Sequence, residues 1–272
     1  MTIAAWLSKA GTLLKEAGIE TSRLDSLVLL SDELDADKAW VLAHPEYVLQ
    51  IEQLEKLSTK IVQRCHHTPL AYIRGFAEFY GRNFIVNKQV LVPRPETESM
   101  IDALKRLTAN ARDFTVVDVG TGSGCLAITA SLEIPSVKVI ATDIDTSALN
   151  IAKMNAERLG ASVIFAEGDL LEPLQAHIPK QPLYIIANLP YVPLDYPINK
   201  AAEHEPRIAL FSNDEGLQHY MRFFSQIDIM HLSPHAIITE SLLSQHDALK
   251  IIASKHGFKL SSTDGLAQTF VK

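Results

Sequence analysis

The sequence predicts an α/β protein in which a mostly parallel sheet follows a small all-helical domain and a β-hairpin. Three observations predict this class. Residues 1–68 carry apolar side chains at helical spacing. Residues 69–95 contain short alternating runs that are typical of a hairpin linker. Residues 96–272 begin with a helix and then alternate short apolar runs with helix-length stretches, as a doubly wound sheet does.

The first 68 residues show the period of amphipathic helices rather than of strands. Trp6, Ala10 and Leu14 recur every four residues, which places them on one helical face. Similar apolar stripes run through residues 24–34, begin again at Trp40 and continue from Ile51. Four short helices without an intervening strand predict a small bundle.

The linker combines strand-like runs with turn residues. The runs AEFYGRNFIV and KQVLV alternate with turn signals, which predicts strands of a hairpin. Pro93 and Pro95 follow, and we interpret them as a rigid extended segment before the next helix.

The remaining chain predicts a five-stranded parallel sheet with helices on both faces. Its strand-like runs are short, apolar and rich in Val and Ile, which is typical of strands buried on both faces. They read FTVVDV, KVIAT, SVIFA, LYIIA and AIITE.

Composition narrows the class of protein. The chain has 272 residues, of which 47% are hydrophobic, and a net charge of −7, an ordinary globular balance. Net acidity disfavours sequence-independent nucleic-acid binding, which relies on Lys and Arg. Two cysteines in unrelated contexts predict neither a disulfide framework nor a metal site. The N-terminus is not of the signal-peptide type, and no apolar run is long enough to span a bilayer. We therefore expect a cytoplasmic protein without membrane contact.

A glycine-rich turn follows the first strand of the predicted sheet. Its spacing, G-x-G-x-G, differs from the dinucleotide fingerprint and lacks the Gly-Lys-Ser/Thr of a phosphate-binding loop. Asp118, just before the turn, would repel a pyrophosphate but could pair with an ammonium or sulfonium group. The turn therefore predicts a binding site for a cationic ligand. Its residues are Gly120, Thr121, Gly122, Ser123 and Gly124.

Acidic residues end the next two strands. Asp143 lies about 20 residues beyond the glycine turn, where an acid can accept the hydroxyls of a ribose. Asp169 lies where a carboxylate could accept from an adenine amino group, with Leu170 as an apolar wall. Together with the glycine turn, these residues predict a pocket for an adenosine that carries a cation. S-adenosylmethionine is the natural candidate.

The fourth strand runs into Asn188, Leu189, Pro190 and Tyr191. The Asn188 side-chain oxygen and the Leu189 carbonyl could each accept an N–H of a planar amine, because Pro190 holds the preceding residue extended. Tyr191 could lay its ring over that planar group. Two such acceptors would orient the nitrogen and favour the positive charge that develops during methylation. We predict Asn188, Pro190 and Tyr191 as catalytic residues.

The pairing of VVDVGTGSG with Asn-Leu-Pro-Tyr resembles the amino-methyltransferases. Further stretches resemble the HemK/PrmC family over nearly the whole chain. They are PLAYIRGFAEFYG, LVPRPETE, NLPYVP and EHEPRIALFSNDEGL. The family methylates the side-chain amide nitrogen (N5) of a glutamine in peptide chain release factors. Its arrangement is a helical domain, a hairpin linker and a Rossmann-like class I methyltransferase domain.

The resemblance implies roles for particular residues. Residues 120–124 with Asp143, Leu170 and Asn188 would contact S-adenosylmethionine, whose product is S-adenosylhomocysteine. Residues 188–191 would hold the glutamine of a Gly-Gly-Gln motif. Glu205 and Pro206 would shape the substrate side. The implied partner is a release factor, which we expect residues 1–68 to bind. We expect a monomer without metal.

Two alternatives stay open at this stage. Leu189 stands where the family motif, Asn-Pro-Pro-Tyr, has its first proline, and Asn-Leu-Pro-Tyr is also the form of ribosomal RNA adenine dimethyltransferases. The first alternative is therefore an N6-adenine methyltransferase acting on RNA or DNA, which the acidic composition disfavours. The second is a binding protein that kept the fold but lost catalysis. The intact Asn188, Pro190 and glycines disfavour it.

Overall fold

The computed structural model describes residues 1–176 and 181–272, and the chain divides into two compact units. The helical unit comprises Met1–Phe76 with Ile198–His204, and the sheet unit comprises Ala77–Pro197 with Glu205–Lys272. The sequence-based domain bounds stay a prediction.

Helices build the first unit, as the apolar spacing predicted. Thr2 caps the first of them, because its hydroxyl accepts the Ala5 N–H at 3.3 Å. Trp6, Ala10 and Leu14 are buried on one face of that helix. The helices are α1 (Ile3–Glu16), α2 (Ser22–Leu34), α3 (Lys38–Ala43), α4 (Ile51–Cys65) and α5 (Leu70–Arg74). The sequence predicted four of these helices, and the fifth, α5, is an additional short helix.

A hairpin follows, made of β1 (Phe76–Phe79) and β2 (Arg82–Ile85). Tyr80 and Gly81 form its two-residue turn with φ of 50° and 72°, the backbone that a tight hairpin requires. The predicted strand KQVLV is wrong, since residues 88–92 contain no strand. The Asn87 side chain accepts the Gln89 N–H at 2.9 Å and so closes a turn there instead.

The described residues of the sheet unit form a seven-stranded sheet in the order β10-β11-β9-β6-β3-β4-β5. Strands β3, β4, β5, β6 and β9 are parallel, and β10 and β11 add antiparallel pairs at one edge. Strands β7 and β8 pair separately. The strands are β3 (Phe114–Val119), β4 (Val137–Asp143), β5 (Val163–Glu167), β6 (Leu183–Ala187), β7 (Val192–Pro193), β8 (Phe211–Ser212), β9 (Ala236–Glu240), β10 (Lys259–Asp264) and β11 (Ala267–Val271).

Helices in this unit are α6 (Glu98–Thr108), α7 (Cys125–Glu133), α8 (Thr146–Leu159), α9 (Arg207–Leu210), α10 (Gln218–Ile229) and α11 (His246–Lys255). Two apolar clusters hold them on the sheet. Val117 and Val119 of β3 belong to one cluster with Phe223 of α10, and Val116 belongs to the other with Ile101 of α6. Successive β3 residues therefore pack on opposite faces, which explains the continuous apolar run. Within residues 1–176 and 181–272, no helix is both long and apolar enough to cross a membrane.

The sequence pattern does not predict the two C-terminal strands, β10 and β11. β10 reads KLSSTD and is mostly exposed, so it lacks the apolar alternation that predicts a strand. It pairs antiparallel with β11, which is buried against β9. Tertiary pairing, not local pattern, makes β10 a strand.

The order of strands reverses at β3, which pairs with β4 on one side and with β6 on the other. The chain segments that leave the carboxyl ends of β3 and β6 therefore diverge. In an open parallel sheet, this switch point is where ligands bind.

Candidate active site

A pocket lies at the carboxyl ends of the parallel strands, on the sheet unit. It brings together nine of the residues that the sequence singled out for cofactor and substrate. These are Gly120, Gly122, Asp143, Asp169, Leu170, Asn188, Leu189, Pro190 and Pro206. The predicted residues Thr121, Ser123, Gly124, Tyr191 and Glu205 do not line it.

The glycine loop, residues 120–124, needs its glycines for two different reasons. Gly122 has a φ of 54°, and a side chain there would point into open space. Gly124 has a φ of 82°, and a Cβ there would lie 2.9 Å from Ile128 Cδ1 and 3.0 Å from Ala152 Cβ. Gly122 thus leaves bare backbone at the pocket, whereas Gly124 allows α7 to pack closely on α8.

Thr121 and Ser123 of the loop form hydrogen bonds to buried residues of the protein and not towards the pocket. The Thr121 hydroxyl donates to Asp118 Oδ2 at 2.6 Å, and Asn155 Nδ2 donates to the Ser123 carbonyl at 2.9 Å. Asp118 also accepts the Ala127 N–H at 3.1 Å. Thr121 and Ser123 therefore support the loop and do not face the pocket.

Asp118 is fully buried and does not line the pocket, so its carboxyl is not placed to pair with a cationic ligand. Among the described residues, its Oδ1 has no hydrogen-bond partner. Burial raises the pKa of this carboxyl to about 7, against the opposing hydrogen bonds from Thr121 and Ala127. Asp118 therefore supports the glycine loop through Thr121 and Ala127 and does not pair with a cationic ligand, although the sequence had suggested that it would.

Asp143 ends β4 and links the loop to the pocket wall. Its Oδ2 accepts the Gly122 N–H at 2.8 Å and its Oδ1 accepts the Asp145 N–H at 2.9 Å. Burial raises the pKa of Asp143. Together with the Ile144 N–H, the carboxylate has three backbone donors and keeps acceptor capacity for one more. Asp145 caps α8, because its side chain accepts the Ser147 N–H at 2.7 Å.

Asp169 and Leu170 follow β5 and line the same pocket. Asp169 forms an ion pair with Arg222 of α10, a residue 53 positions away. His219, one turn before Arg222, also lines the pocket, and burial lowers its pKa. Sequence reasoning missed both α10 residues, since no local motif marks them.

Asn188 and Leu189 leave β6 towards the glycine loop. Asn188 Nδ2 donates to Thr97 Oγ1 at 3.2 Å and to Glu240 Oε1 at 3.0 Å. Leu189 is buried, and a Cβ on Gly120 would lie 3.2 Å from Leu189 Cδ2. The leucine that departs from the family motif thus packs under the glycine loop. Leu189 therefore packs the turn that follows β6 against the turn that follows β3.

Tyr191 is anchored at both ends rather than placed in the pocket. Its hydroxyl donates to Glu240 Oε1 at 2.9 Å, and its carbonyl accepts from Gln245 Nε2 at 2.7 Å. Gly216 lies so close that a Cβ there would be 2.0 Å from the Tyr191 carbonyl oxygen. Burial raises the pKa of Tyr191. The sequence did not predict a role for Glu240 or Gln245, because neither belongs to a recognised motif. Gly216 does lie in one of the stretches that resemble the family, EHEPRIALFSNDEGL.

Glu205 is buried beneath the segment that precedes α6. Its carboxylate accepts the Val92 N–H at 3.0 Å and pairs with Arg94 at 2.6 Å. Pro206, the next residue, lines the pocket, as do residues 89–91. Glu205 therefore fixes two segments of the pocket wall without facing the pocket itself.

The described residues contain no group of His, Cys, Asp or Glu side chains arranged to hold a metal ion. The pocket walls instead carry the carboxyl groups of Asp143, Asp145 and Asp169 beside the guanidinium of Arg222.

Fold and site together define a class I, Rossmann-like methyltransferase. Solved structures share this fold at low sequence identity. The hMettl16 catalytic domain in complex with a MAT2A 3′UTR hairpin matches with a TM-score of 0.55 and 13% identity over 84% of this chain and 82% of that chain. A Thermus thermophilus 16S rRNA N2 G1207 methyltransferase matches with a TM-score of 0.50 and 14% identity over 72% of this chain and 49% of that chain.

Sequence comparisons define the family. Residues 5–75 match the PrmC N-terminal domain, and residues 94–195 match the ribosomal protein L11 methyltransferase (PrmA) family. The chain is 38% identical to a release factor glutamine methyltransferase of Koribacter versatilis, over 86% of this chain and 84% of that protein. It is 34% identical to the release factor glutamine methyltransferase of Bacillus subtilis, over 93% and 90%. The chain belongs to the release factor glutamine methyltransferase family, as the motifs predicted.

Proposed function

We propose that this chain transfers a methyl group from S-adenosylmethionine to the side-chain amide nitrogen (N5) of the glutamine in the Gly-Gly-Gln motif of peptide chain release factors. One observation carries the proposal. Asn188 and Pro190 line the same pocket as Gly120, Gly122 and Asp143. An amide-binding motif and a nucleoside-binding loop thus share one pocket, in a chain whose relatives carry the release factor name.

The pocket fits the proposed cofactor. Gly122 exposes backbone, the Asp143 carboxylate keeps acceptor capacity for a ribose hydroxyl, and Leu170 supplies an apolar wall. The carboxyl groups of Asp143 and Asp145 favour a positively charged ligand. When bound, S-adenosylmethionine supplies a methyl group on a positively charged sulfur.

Asn188 and Leu189 would orient the substrate amide. An amide nitrogen is a weak nucleophile, because its lone pair is delocalised into the carbonyl group. The Asn188 Oδ1 and the Leu189 carbonyl would accept its two N–H bonds and stabilise the charge that develops on nitrogen. Pro190 favours an extended backbone at Leu189 and so restricts that carbonyl. No strong base is needed, because the alkylated nitrogen becomes acidic.

The first test is transfer of labelled methyl from S-adenosylmethionine to purified release factor, with ribosomal RNA as a competing substrate. We expect label at the Gly-Gly-Gln glutamine and a loss of at least about a hundredfold in Asn188→Ala, comparable to the loss of one oxyanion-hole donor. Label in RNA instead would support the adenine alternative. Transfer to neither substrate, with cofactor bound, would support the binding-protein alternative.

The helical unit is proposed to bind the release factor. Ile51, at the start of α4, is 71% exposed, and Leu42 and Val48 nearby in the chain are exposed as well. Exposed aliphatic side chains of this kind suit a protein partner.

Ile51→Glu tests this proposal, with Ile229→Glu as its matched control, because Ile229 lies on the sheet unit and is 74% exposed. We expect Ile51→Glu to raise the KM for whole release factor about tenfold, the effect of roughly 1.4 kcal/mol. The Kd for S-adenosylhomocysteine should stay unchanged. Equal KM values for the two variants would contradict a role of this surface.

A further inference from the structure

The side-chain amide of Asn188 has both of its N–H groups engaged inside the protein. Nδ2 lies 3.2 Å from Thr97 Oγ1 and 3.0 Å from Glu240 Oε1. Thr97 and Glu240 are both buried, at 3% and 1% exposure. Thr97 lies just before α6, and Glu240 is the last residue of β9. Two separate elements therefore converge on one amide group.

Burial raises the pKa of Glu240, but the side chains of Thr97, Tyr191 and Asn188 donate to this carboxyl group and favour its ionised form, which only accepts hydrogen bonds. The Glu240 contact therefore fixes which end of the Asn188 amide faces inward. Nδ2 must point to Glu240, and Oδ1 must point the other way. Among the described residues, no donor of the protein contacts this Oδ1. Asn188 therefore presents an acceptor, and not a donor, at the pocket.

This orientation decides whether Asn188 can serve the proposed reaction. A substrate amide nitrogen brings N–H donors, which an acceptor attracts. A flipped Asn188 amide would present its own N–H groups and oppose them. The two ends of an asparagine amide have nearly the same shape, so only hydrogen-bond partners distinguish them.

The same carboxylate holds a second residue of the motif. Glu240 Oε1 also accepts from the Tyr191 hydroxyl at 2.9 Å, while the Tyr220 hydroxyl lies against the Glu240 carbonyl oxygen. Glu240 thus contacts residues on both sides of Leu189 and Pro190. A buried group with several specific partners transmits its position rigidly to them.

We propose that Glu240, together with Thr97, is a positioning residue that fixes the Asn188 amide with Oδ1 as the acceptor for the substrate nitrogen. This inference deepens the proposed function and rests on it. Glu240 acts through Asn188 and Tyr191 and does not contact the substrate.

Kinetics of Glu240→Ala and Glu240→Gln test the proposal, with Thr239→Val as the matched control. Thr239 is the preceding β9 residue and is fully buried, and its hydroxyl has no hydrogen-bond partner among the described residues. We expect Glu240→Ala to lower kcat at least tenfold with an unchanged Kd for S-adenosylhomocysteine. Glu240→Gln should recover part of kcat, because its amide oxygen can still accept from Asn188 and Tyr191. Thr239→Val should behave as the unmodified chain.

A second readout does not depend on activity. The side-chain amide protons of Asn188, assigned by their absence in Asn188→Ala, should exchange slowly with solvent in the unmodified full chain. Exchange should be faster in Glu240→Ala and, for one proton, in Thr97→Val. If Glu240→Ala does not fold, the Thr97→Val spectrum and the unmodified chain decide the question.

Two results would overturn the inference. One is a kcat of Glu240→Ala within twofold of the unmodified chain while Asn188→Ala is inactive. The other is exchange of the Asn188 protons at the rate of an exposed asparagine. If the unmodified chain transfers no methyl group to release factor, the proposed function fails, and the exchange measurement alone decides the role of Glu240.

Discussion

The two turns that meet at the switch point are held in different ways. The glycine loop after β3 is fixed in part by near neighbours, since Gly124 N–H donates to the Thr121 carbonyl and the Thr121 hydroxyl donates to Asp118. Its other partners, Asp143 and Asn155, belong to β4 and α8, the next two elements along the sequence after α7. The NLPY segment, residues 188–191, follows β6 and is fixed by distant residues. Its partners Thr97, Glu240 and Gln245 lie 91, 52 and 54 positions away along the chain from the residues they contact.

This difference shows that one pocket can combine two segments whose backbone conformations are fixed in different ways. A glycine loop obtains its shape from backbone freedom, which is a property of a short sequence. The NLPY segment contains one proline and no glycine, so its backbone depends on buried side chains from other elements. We therefore expect distant substitutions to disturb the NLPY segment more than the glycine loop.

The largest expected effect comes from Gly216, which lies against the NLPY segment. Gly216→Ala would place a Cβ 2.0 Å from the Tyr191 carbonyl oxygen and 2.3 Å from Gln245 Nε2. Because backbone must move to relieve this overlap, we expect a loss of about a hundredfold in kcat, the cost of misplacing a reacting group by about 1 Å. Methyl transfer to release factor measures it.

Gly257→Ala is the control for Gly216→Ala. Its φ of 83° is close to the 88° of Gly216, but a Cβ there meets nothing within 4 Å. The two variants share the backbone strain and differ in the overlap. Similar activities in the two variants would show that the contact with Tyr191 is unimportant.

An intermediate effect separates two glycines of the loop. Gly124→Ala would press on Ile128 and Ala152, whereas Gly122→Ala meets open space. We expect Gly124→Ala to lower the free energy of unfolding by about 1–3 kcal/mol more than Gly122→Ala does. Gly122→Ala should mainly weaken S-adenosylhomocysteine binding. Denaturant unfolding and calorimetric titration measure the two effects, and the reverse assignment would contradict the roles given to these glycines.

The smallest expected effect concerns Asp118 and pH. Its pKa in the folded chain is about 7, above its ordinary value of 3.8, so folding favours the neutral form. Stability is therefore lost as pH rises from about 4 to about 7. The Asp118→Asn variant has no carboxyl group to titrate at this position, so its free energy of unfolding should not fall with pH for this reason.

Unfolding at two pH values measures the effect. The unmodified chain should lose about 2–3 kcal/mol relative to Asp118→Asn between about pH 5 and about pH 8, at about 1.4 kcal/mol per pKa unit. An equal change in both proteins would show that the Asp118 carboxyl does not titrate in this range.

Much of the fold could be predicted from sequence because its strands are short, apolar and locally patterned. The β3 prediction, FTVVDV, agrees with Phe114–Val119 residue for residue. β10 was missed because its sequence, KLSSTD, becomes a strand only by pairing with β11. The predicted strand KQVLV was wrong because the Asn87 side chain closes a turn.

The pocket was predictable where a motif is contiguous and unpredictable where it is not. The glycine loop, Asp143 and Asn188 each stand at a strand end, and parallel strands bring such ends together. Arg222 and Glu240 carry no local signal, because their roles arise from packing across the sheet unit.

By itself, the sequence determined most of the elements, the strand-end positions of the pocket residues and the family, since these depend on local pattern and contiguous motifs. Only the tertiary structure decided which side chains face the pocket and which support it. Thr121 and Glu205 turned inward because a buried polar group must find partners. The partner of Thr121 is Asp118, only three positions away, whereas Glu205 accepts from Val92, 113 positions away. The tertiary structure also decided the orientation of the Asn188 amide, because Thr97 and Glu240 reach it only after the sheet has formed.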